Sequence, residues 1–344
     1  MRSFCSCIAR CTVLVVVGST LACGSQALNP RDPCAVSRQG GALWVSCPDG
    51  TQAQVRGDQL CMSDAQGNVH EDECHAESAR FGFGADLHYA DHSAPNKGHR
   101  SIGEHKLREA IDSWNAARVD LAIMGGDYID PEDDTDPDSA VEDLRYIERI
   151  FATLEAPYYH VLGNHDLDVF DKKKFVEETV MERPHYSFDH GGFHFVVLDA
   201  NYTRADDDAE YDGNGYDWGE TWINPTQLAW LEEDLRDADL PTLVFSHQCL
   251  SATGVPYVNN APSVRRVLEA SGKVVGVFNG HAHRNDRMVV GDIPYFTMQA
   301  MTPKSSRTNA HAVVRVYEEG WIFVEGSAYQ ASYLHGPSPN FESE

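Results

Sequence analysis

Basic residues are scarce in this sequence of 344 residues, where 27 Lys and Arg stand against 53 Asp and Glu and give a formal net charge of −26. Proteins that bind nucleic acid need basic patches, because they gain affinity by releasing counterions from phosphates. The sequence contains no evident patch of this kind, which argues against nucleic acid as a general partner. The acidic excess also repels phosphate anions at long range, so any phosphate chemistry would need positive charge from bound metal ions.

The sequence also has little that could anchor it in a membrane. The N-terminal apolar run, from about Val13 to Ala22, is too short to span a bilayer in comfort. Because Arg2 and Arg10 precede this run and small residues follow it, we predict that residues 1–27 are a signal peptide for export.

Two ways of processing this signal stay open. Ser25-Gln26-Ala27 fits the small-x-small site of a signal peptidase. Lipidation of Cys23 is the alternative, although Thr20 occupies the position where a lipoprotein signal normally has an aliphatic residue. We therefore expect an exported bacterial protein that is periplasmic, secreted or lipid-anchored at the cell envelope, with the membrane as a partner only through Cys23.

Cysteine pairs of the C-x-x-C type are absent, which argues against a thiolate zinc site. Beyond the signal, four cysteines lie together at nearly even spacing: Cys34, Cys47, Cys61 and Cys74. In an exported segment this spacing predicts two disulfides, with the connectivity left open. We expect residues 28–78 to form a small disulfide-stapled appendage, and the isolated Cys249 to be a buried free thiol.

From Phe81 onward, predicted strands alternate with predicted helices, which indicates an α/β fold with helices covering the sheets. The predicted strands cover residues 80–86, 119–127, 157–166, 241–247 and 273–281. The predicted helices cover residues 101–117, 139–155 and 224–239, and a β-hairpin over 186–200 turns at Gly191-Gly192. We expect a main domain over residues 79–334 that closes with antiparallel β-structure, and a flexible tail over 335–344.

Each predicted core strand ends in polar residues, in the motifs "GADLH", "GGD", "GNHD", "SH" and "NGHAH". Functional groups in open α/β sheets gather beyond the carboxyl ends of the strands, so we expect these side chains to meet at one rim. They are Asp86, His88, Asp127, Asn164, His165, Asp166, His247, His281 and His283. Tight backbone turns at these strand ends are permitted by Gly84, Gly126, Gly163 and Gly280.

Taken singly, most of these motifs have an ordinary explanation. A D-x-H pair or a Gly-Asp pair fits a common turn, and a lone histidine after a strand is usually structural. The "GHAH" motif suits either a turn or a metal chelate, while "GNHD" is stronger because three adjacent ligand or acid–base side chains follow a buried strand. The specificity lies in the ordered combination.

The series D-x-H, G-D, G-N-H-D, H and G-H-x-H resembles the calcineurin-like metallophosphoesterase family over about residues 80–300. The resemblance implies a four-layer α-β-β-α sandwich of two mixed sheets flanked by helices. It implies one metal ion held by Asp86, His88, Asp127 and His283. It implies a second metal ion held by Asp127 as a bridge, together with Asn164, His247 and His281. His165 would lie unligated beside the substrate phosphate, and Asp166 would orient it.

The donor types support a two-metal centre. Imidazole, carboxylate and amide ligands suit Mn, Fe, Co or Zn rather than an all-oxygen Ca²⁺ site. Two such ions lower the pKa of a bound water to about 7, and the resulting hydroxide would attack phosphorus in line. Protonated His165 would donate to the leaving oxygen, a role worth about 10²–10⁴-fold in rate.

One departure bears on the branch within the family. Purple acid phosphatases have a tyrosine ligand three residues after the G-D aspartate and lack the D-x-H histidine, whereas this sequence has Asp130 there and keeps His88. This argues against the purple branch. The segments "FGFGADLHYAD" and "KLREAIDSWN" resemble manganese-dependent ADP-ribose/CDP-alcohol diphosphatases, with cyclic-nucleotide phosphodiesterases nearly as similar.

Two loops have open interpretations. The aromatic, acidic segment 201–225 could stack a nucleobase on Tyr216, Trp218 or Trp222, or these side chains could simply pack on the surface. The acidic segment 130–139 lacks the Gly and terminal Glu of an EF-hand loop, so we interpret it as a solvated connector. Other histidines are interpreted as structural, except that His92 lies just past the first motif.

We therefore predict an exported two-metal hydrolase that cleaves phosphodiester or pyrophosphate bonds of a nucleotide-like small molecule. The alternatives are a broad phosphomonoesterase and a catalytically silent metal-binding surface protein of the same fold. A cysteine-rich adhesion module would explain only residues 28–78.

Overall fold

A computed structural model describes residues 32–91, 102–131, 136–203, 220–252, 254, 256–302 and 308–337. The predicted signal peptide with Cys23 lies outside these residues, as do His92, Tyr216 and Trp218. Of the predicted tail, only residues 335–337 are described, and the first of them ends a strand.

The described chain forms sixteen strands and five α-helices. The strands are β1 (Ala35–Gln39), β2 (Ala42–Ser46), β3 (Gln52–Arg56), β4 (Gln59–Ser63), β5 (Val69–Gly84), β6 (Leu121–Met124), β7 (Tyr158–His160), β8 (Tyr186–His190), β9 (Phe193–Leu198), β10 (Thr242–Ser246), β11 (Val274–Asn279), β12 (Asp286–Val290), β13 (Ile293–Thr297), β14 (Ala310–Tyr317), β15 (Ile322–Ala328) and β16 (Tyr333–His335). The helices are α1 (Gly103–Ala117), α2 (Pro137–Phe151), α3 (Lys172–Glu178), α4 (Pro225–Asp237) and α5 (Ala261–Ser271).

The strands build two mixed sheets. In the first, the core order is β7-β6-β5-β14-β15-β16, with β5, β6 and β7 parallel and β14 antiparallel to β5. In the second, the order is β12-β13-β11-β10-β9-β8, with the four central strands parallel and an antiparallel strand at each edge. The hairpin predicted at Gly191-Gly192 is the β8–β9 pair and is confirmed.

An aromatic core joins the two sheets face to face. Phe81 of β5 meets Phe195, Phe245 and Phe278 of the second sheet, with ring centroids 5.6–5.8 Å apart in edge-on geometry. Helices α1 and α2 cover the outer face of the first sheet, and α4 and α5 cover that of the second. The predicted four-layer α-β-β-α sandwich is therefore confirmed.

The helices begin where the local sequence favours it. The Asp136 carboxylate caps α2 and the Asn224 amide oxygen caps α4, and a proline follows directly in each case. Helices α3 and α5 were not predicted from the sequence, because α3 has only seven residues and too few turns to show a clear apolar period. None of the described helices is long and apolar enough to cross a membrane.

The two predicted disulfides are confirmed, and the structure resolves their connectivity as Cys34–Cys47 and Cys61–Cys74. Each bridge closes a local loop within the strands β1–β5. Such bridges persist in an oxidising environment and are rare in reducing ones. Cys249 is a buried free thiol, as expected.

The appendage is continuous with the main domain rather than separate from it. Its predicted boundary at residue 78 falls inside β5, a single strand that pairs with β4 at one end and with β14 and β6 at the other. The appendage also shares a hydrophobic cluster with β14 and β15, in which Leu43 and Leu60 pack with Tyr317 and Phe323. Strands β1–β4 therefore extend the first sheet.

Removing one disulfide tests this continuity. We expect a Cys61→Ser/Cys74→Ser double variant to lose about 3 kcal/mol of unfolding free energy, the value for a loop of this length. Because β5 passes through both parts, unfolding should remain one transition by far-UV circular dichroism and tryptophan fluorescence in a urea titration. The exposed change Ser37→Ala on β1 is the control and should shift stability by less than about 0.5 kcal/mol. Two separated transitions in the native protein would contradict the shared core.

Candidate metal centre

The predicted ligands converge from the carboxyl ends of five strands. Asp86 and His88 follow β5, and Asp127 follows β6 in the same sheet. Asn164 follows β7, His247 follows β10, and His281 and His283 follow β11. Because β10 and β11 belong to the second sheet, the site is assembled across the sandwich and depends on the packing of the two sheets.

Several residues in the loops that carry the predicted ligands have an unusual, left-handed backbone conformation. Nine described non-glycine residues have a positive φ, and five of them are predicted metal ligands, with φ between 50° and 64°: Asp86, His88, Asp127, His281 and His283. Side-chain-bearing residues rarely adopt this left-handed region, and each costs on the order of 1–3 kcal/mol unless the surroundings enforce it. The concentration of such residues in one place indicates a functional site.

Gly163 is required by the close approach of two of these loops. A Cβ atom on Gly163 would lie 2.1 Å from the backbone nitrogen of Asp127 and 2.2 Å from its Oδ1. No real Cβ atom tolerates such contacts, so only glycine lets the "GNHD" loop reach Asp127. The glycine in this motif is therefore a packing requirement of the site.

Four predicted ligands form a first cluster, which consists of Asp86, His88, Asp127 and His283. The Nε2 atoms of His88 and His283 are 3.0 Å apart, and Asp86 Oδ1 is 3.1 Å from His283 Nε2. Asp127 Oδ2 is 3.7 Å from His88 Nε2. Both carboxylates are buried, whereas the His283 side chain is 44% exposed, so this cluster opens to solvent on the side of His283.

A second cluster consists of Asp127, His247 and His281, all buried. His247 Nε2 lies 3.0 Å from Asp127 Oδ2 and 3.2 Å from His281 Nδ1. The other nitrogen of His247, Nδ1, lies 2.7 Å from the carbonyl oxygen of Gly125, which fixes the ring. Asp127 belongs to both clusters, in the position expected of a bridging ligand.

The residues present fit two cations. Donors bound to one metal ion at about 2.0–2.1 Å lie roughly 3.0–3.4 Å from each other, and the shortest separations in each cluster, 3.0–3.2 Å, fall in this range. Asn164 adds an independent observation, because its Oδ1 and Nδ2 are both buried and neither has a hydrogen-bond partner. An unsatisfied buried amide is costly, and coordination of Oδ1 to a cation would satisfy it. The donor set is nitrogen and oxygen without thiolate.

His165 lies beside the clusters, held by two carboxylates that the sequence analysis did not assign to it. Its Nδ1 is 2.7 Å from Asp168 Oδ2 and 3.4 Å from Asp130 Oδ1, and its backbone nitrogen donates to Asp127 Oδ1 at 2.9 Å. Asp130 Oδ2 also lies 3.1 Å from Nδ1 of His88. One carboxylate therefore orients both a predicted ligand and the predicted acid.

The structure differs from two predictions here. Asp166 does not orient His165, because its carboxylate accepts the backbone N–H groups of Tyr128, Ile129 and Gly163 and holds two site loops together. Asp130 is not part of a solvated connector, because it is buried against the site histidines.

The sequence gives little indication that Asp168 and Asp130 contact His165. Asp168 is three residues after His165, a spacing that brings two side chains together only when the intervening residues form a helical turn. The short 3₁₀ turn His165–Leu167 forms this helical turn. The sequence has no periodic pattern that predicts a turn of this kind. The sequence distinguished Asp130 only because it occupies the position at which purple acid phosphatases have a tyrosine ligand.

The surrounding carboxylates strongly favour a proton on His165. Burial opposes the charged imidazolium, but the charges of Asp127, Asp168 and Asp130 and the hydrogen bond to Asp168 outweigh it and raise the pKa of His165 to about 10. The carboxylates around His165 therefore favour its protonated form, which is the form a general acid needs.

The pKa values of the two histidines in the second cluster are shifted in opposite directions. Burial opposes the charged form of His247, yet Asp127 and Asp86 raise its pKa to about 9. Burial and the neighbouring His247 lower the pKa of His281 to about 3, so its ring is neutral. The facing nitrogens of the two rings are 3.2 Å apart, and a cation bound by both would require both to be unprotonated.

Other residues considered from the sequence lie elsewhere. The indole nitrogen of Trp222 donates to Glu220, so its ring edge is tied to its own segment. His194 is bound between Asp189 and Asp234 on the second sheet, and His105 is exposed on α1. His194 is therefore a structural residue and His105 a surface residue.

Comparison with known proteins places this geometry in a family. The family model for calcineurin-like phosphoesterases matches residues 79–285, more than half of the chain. A Xenorhabdus bovienii protein named "Probable cyclic nucleotide phosphodiesterase" is 29% identical over 175 residues, covering 49% of this chain and 63% of that protein. The chain therefore spans less than two thirds of that relative's length.

Two further proteins are similar over longer stretches. The manganese-dependent ADP-ribose/CDP-alcohol diphosphatase of Oryza sativa subsp. japonica is 24% identical over 298 residues, covering 71% of this chain and 90% of that protein. The crystal structure of a dimetal phosphatase from Danio rerio superposes with a TM-score of 0.64 and 19% identity, covering 76% of this chain and 100% of that one. The latter likeness shows a common fold.

Metal content tests the shared carboxylate. After loading with Mn²⁺ and gel filtration, we expect about two ions per chain in the native protein by plasma mass spectrometry. Asp127→Asn should retain few of either ion because it weakens both clusters, and Asn164→Ala should retain about one. Asp189→Asn, which removes a carboxylate on the second sheet, is the control and should load like the native protein. Equal loss from Asp127→Asn and Asn164→Ala would contradict the bridging role.

Proposed function

This chain belongs to the calcineurin-like phosphoesterase family. We propose that it is a phosphoric ester hydrolase that cleaves phosphodiester or diphosphate bonds in a nucleotide-like small molecule. The observation that carries the proposal is the pair of clusters that share Asp127, with His165 beside them. Two metal ions at these clusters would come from the set Mn, Fe, Zn and Co.

The names of the relatives support this substrate class. One is named for cyclic nucleotides and another for ADP-ribose and CDP-alcohols, all of which are small nucleotide-like molecules with an internal phosphodiester or diphosphate.

Each ligand has a place in the proposed chemistry. Asp86, His88, Asp127 and His283 would hold one ion, and Asp127, Asn164, His247 and His281 the other. Bound there, the ions would supply a nucleophile at neutral pH and neutralise charge on the phosphoryl oxygens.

His165 would protonate the leaving oxygen. Asp168 and Asp130 engage its Nδ1, so the proton that is transferred would come from Nε2. The same contacts prevent the ring from turning, which fixes the direction of proton donation. Asp168 and Asp130 are thus positioning residues, and Asp166 fixes the loop that carries His165.

We further propose that the protein is exported through residues 1–27, and that residues 28–78 form an N-terminal extension of the catalytic domain. The two disulfides support an oxidising compartment. The continuity of β5 supports an extension that stabilises the sandwich rather than a freely moving module.

A substrate panel tests the function directly. Mn²⁺-loaded protein should hydrolyse at least one of ADP-ribose, CDP-choline, cyclic AMP and a glycerophosphodiester at least tenfold faster than a simple monoester, measured as phosphate or nucleotide release. Preference for the monoester would favour the phosphomonoesterase alternative. Metal loading without hydrolysis of any compound would favour the silent metal-binding alternative.

The role of His165 is tested by leaving groups. His165→Ala should load metals normally and lose about 10²–10⁴-fold in kcat on substrates with poor leaving groups, because they need a proton. With 4-nitrophenolate, a good leaving group, the loss should be much smaller. Asp168→Asn should show the same pattern at reduced size, whereas His194→Gln on the second sheet should show none. An equal loss for both kinds of leaving group would contradict general-acid catalysis.

A further inference from the structure

Buried amide side chains join the loops that carry three predicted ligands of the second ion. These ligands follow β7, β10 and β11, and they are Asn164, His247 and His281. The amides belong to residues that are at most 1% exposed, namely Asn201, Gln248 and Asn279. Hydrogen bonds in a buried, low-dielectric environment are strong, so these amides can fix the loops that they contact.

Asn201 joins two of these loops. Its Nδ2 donates to the carbonyl oxygen of Leu162 at 3.2 Å, two residues before Asn164. Its Oδ1 accepts from Nε2 of Gln248 at 2.8 Å, and Gln248 directly follows His247. One amide side chain therefore fixes the loop of Asn164 relative to the loop of His247.

Asn279 connects the third loop. Its Nδ2 donates to the carbonyl oxygens of Ser246 at 2.8 Å and Gln248 at 3.2 Å, one on each side of His247. Asn279 ends β11, two residues before His281. The backbone on both sides of His247 is thus bound to the strand that leads into His281.

Asn201 is itself held in place from the segment that follows β9. Its backbone nitrogen and its Nδ2 both donate to Asp199 Oδ1, each at 2.9 Å. Asp199 is fixed in turn, because Gln227 of α4 bonds to both its backbone nitrogen and its backbone oxygen. Lys172 Nζ lies 2.6 Å from Asp199 Oδ2 and balances its buried charge. Asn201 therefore contacts the two loops from a fixed position.

Two ligands of the first cluster are connected differently. The backbone nitrogens of Asp86 and His88 donate to the carbonyl oxygens of Gly126 and Asp127, both at 2.9 Å. These main-chain hydrogen bonds bind the loop after β5 directly to the loop of Asp127. A change at Asn201 should therefore affect the second ion more than the first.

We propose that Asn201 is a positioning residue for the second metal ion, which sets the affinity of that ion by fixing the loops of Asn164 and His247 relative to each other. This inference rests on the proposed function, because it requires the two-metal centre. The unsatisfied amide of Asn164 supports it, since a cation can satisfy that group only where the loop places it correctly. Groups that orient metal ligands typically contribute about 10- to 100-fold in metal affinity.

Metal binding tests the assignment without catalysis. For Asn201→Ala we expect calorimetric titration to show a Kd of the second Mn²⁺ ion that is about 10- to 100-fold higher, and a Kd of the first ion close to the native value. After gel filtration the variant should retain about one ion per chain by plasma mass spectrometry. Its electron paramagnetic resonance spectrum should be that of isolated Mn²⁺ rather than that of a coupled pair.

A double variant shows which ion is affected. Asn164→Ala alone should retain about one ion, because it lacks a ligand of the second ion. Since Asn201 acts on the same ion, Asn164→Ala/Asn201→Ala should retain about one ion as well. Loss of both ions from the double variant would overturn the assignment of Asn201 to the second ion.

The contact between Asn201 and Gln248 gives an independent test. Gln248→Met nearly preserves the size of the side chain and removes the Nε2 donor. If the two residues act through their hydrogen bond, the double variant Asn201→Ala/Gln248→Met should raise the Kd of the second ion by less than the product of the two single effects. Effects that simply multiply would overturn the proposed link between the loops.

Asn115→Ala is the matched control. The Asn115 side chain also joins two backbone segments, because its Oδ1 accepts from the backbone nitrogen of Glu155 at 3.0 Å. This contact lies between the end of α1 and the segment before β7, whereas the ligands follow the strands. The control should lower the urea midpoint of unfolding and keep the native Kd of both ions, so that a loss of stability is distinguished from a loss of positioning.

The outcomes separate this inference from the function on which it rests. Native Kd values for both ions in Asn201→Ala would overturn the inference and leave the phosphoesterase intact. Native protein that binds two ions but hydrolyses none of the phosphodiesters or diphosphates in the substrate panel would overturn the proposed function, while the Kd values still decide the role of Asn201. Native protein that binds fewer than two ions would overturn both.

Discussion

The carboxylate of Asp127 is the group around which the rest of the site is arranged. It is buried at a left-handed backbone position, accepts the backbone N–H of His165 on Oδ1 and faces His247 on Oδ2. The charges of these histidines hold its pKa well below the usual range despite a burial that acts in the opposite sense. Because Asp127 belongs to both ligand clusters, a displacement of its loop would disturb both at once, and Gly163 leaves the space in which that loop fits.

The site also depends on the packing of the two sheets. Asp127 comes from the first sheet and His247 from the second, so their 3.0 Å contact exists only if the sheets are packed face to face. The aromatic core between Phe81 and its three partners provides that packing without polar atoms, so it is strong and non-directional. Buried carboxylates and five left-handed residues are costly, and this apolar interface together with the sheet extension β1–β4 offsets the cost.

The sequence allowed the fold to be predicted, together with the grouping of the candidate ligands at the strand ends, because both depend on local patterns. Apolar runs ending in Gly and polar residues identify strand ends, and the order of those ends identifies the family. Asp168 could not be assigned to His165 in this way, since their contact depends on one short 3₁₀ turn. Asp166 was given the wrong partner because adjacency along the chain says nothing about which way a side chain points. The predicted boundary at residue 78 between the appendage and the main domain divides one continuous strand. A cysteine-rich composition does not reveal that β5 runs unbroken into the core.

Charge connects the site to the kind of substrate it can take. Asp86, Asp127, Asp130 and Asp168 surround the histidines, and three of these carboxylates raise the pKa of His165 to about 10. Such a site would repel any phosphate unless cations occupied it, so the same carboxylates that hold protons on His165 and His247 also create the affinity for metal ions. Metal ions at the clusters can neutralise only the phosphoryl group next to them.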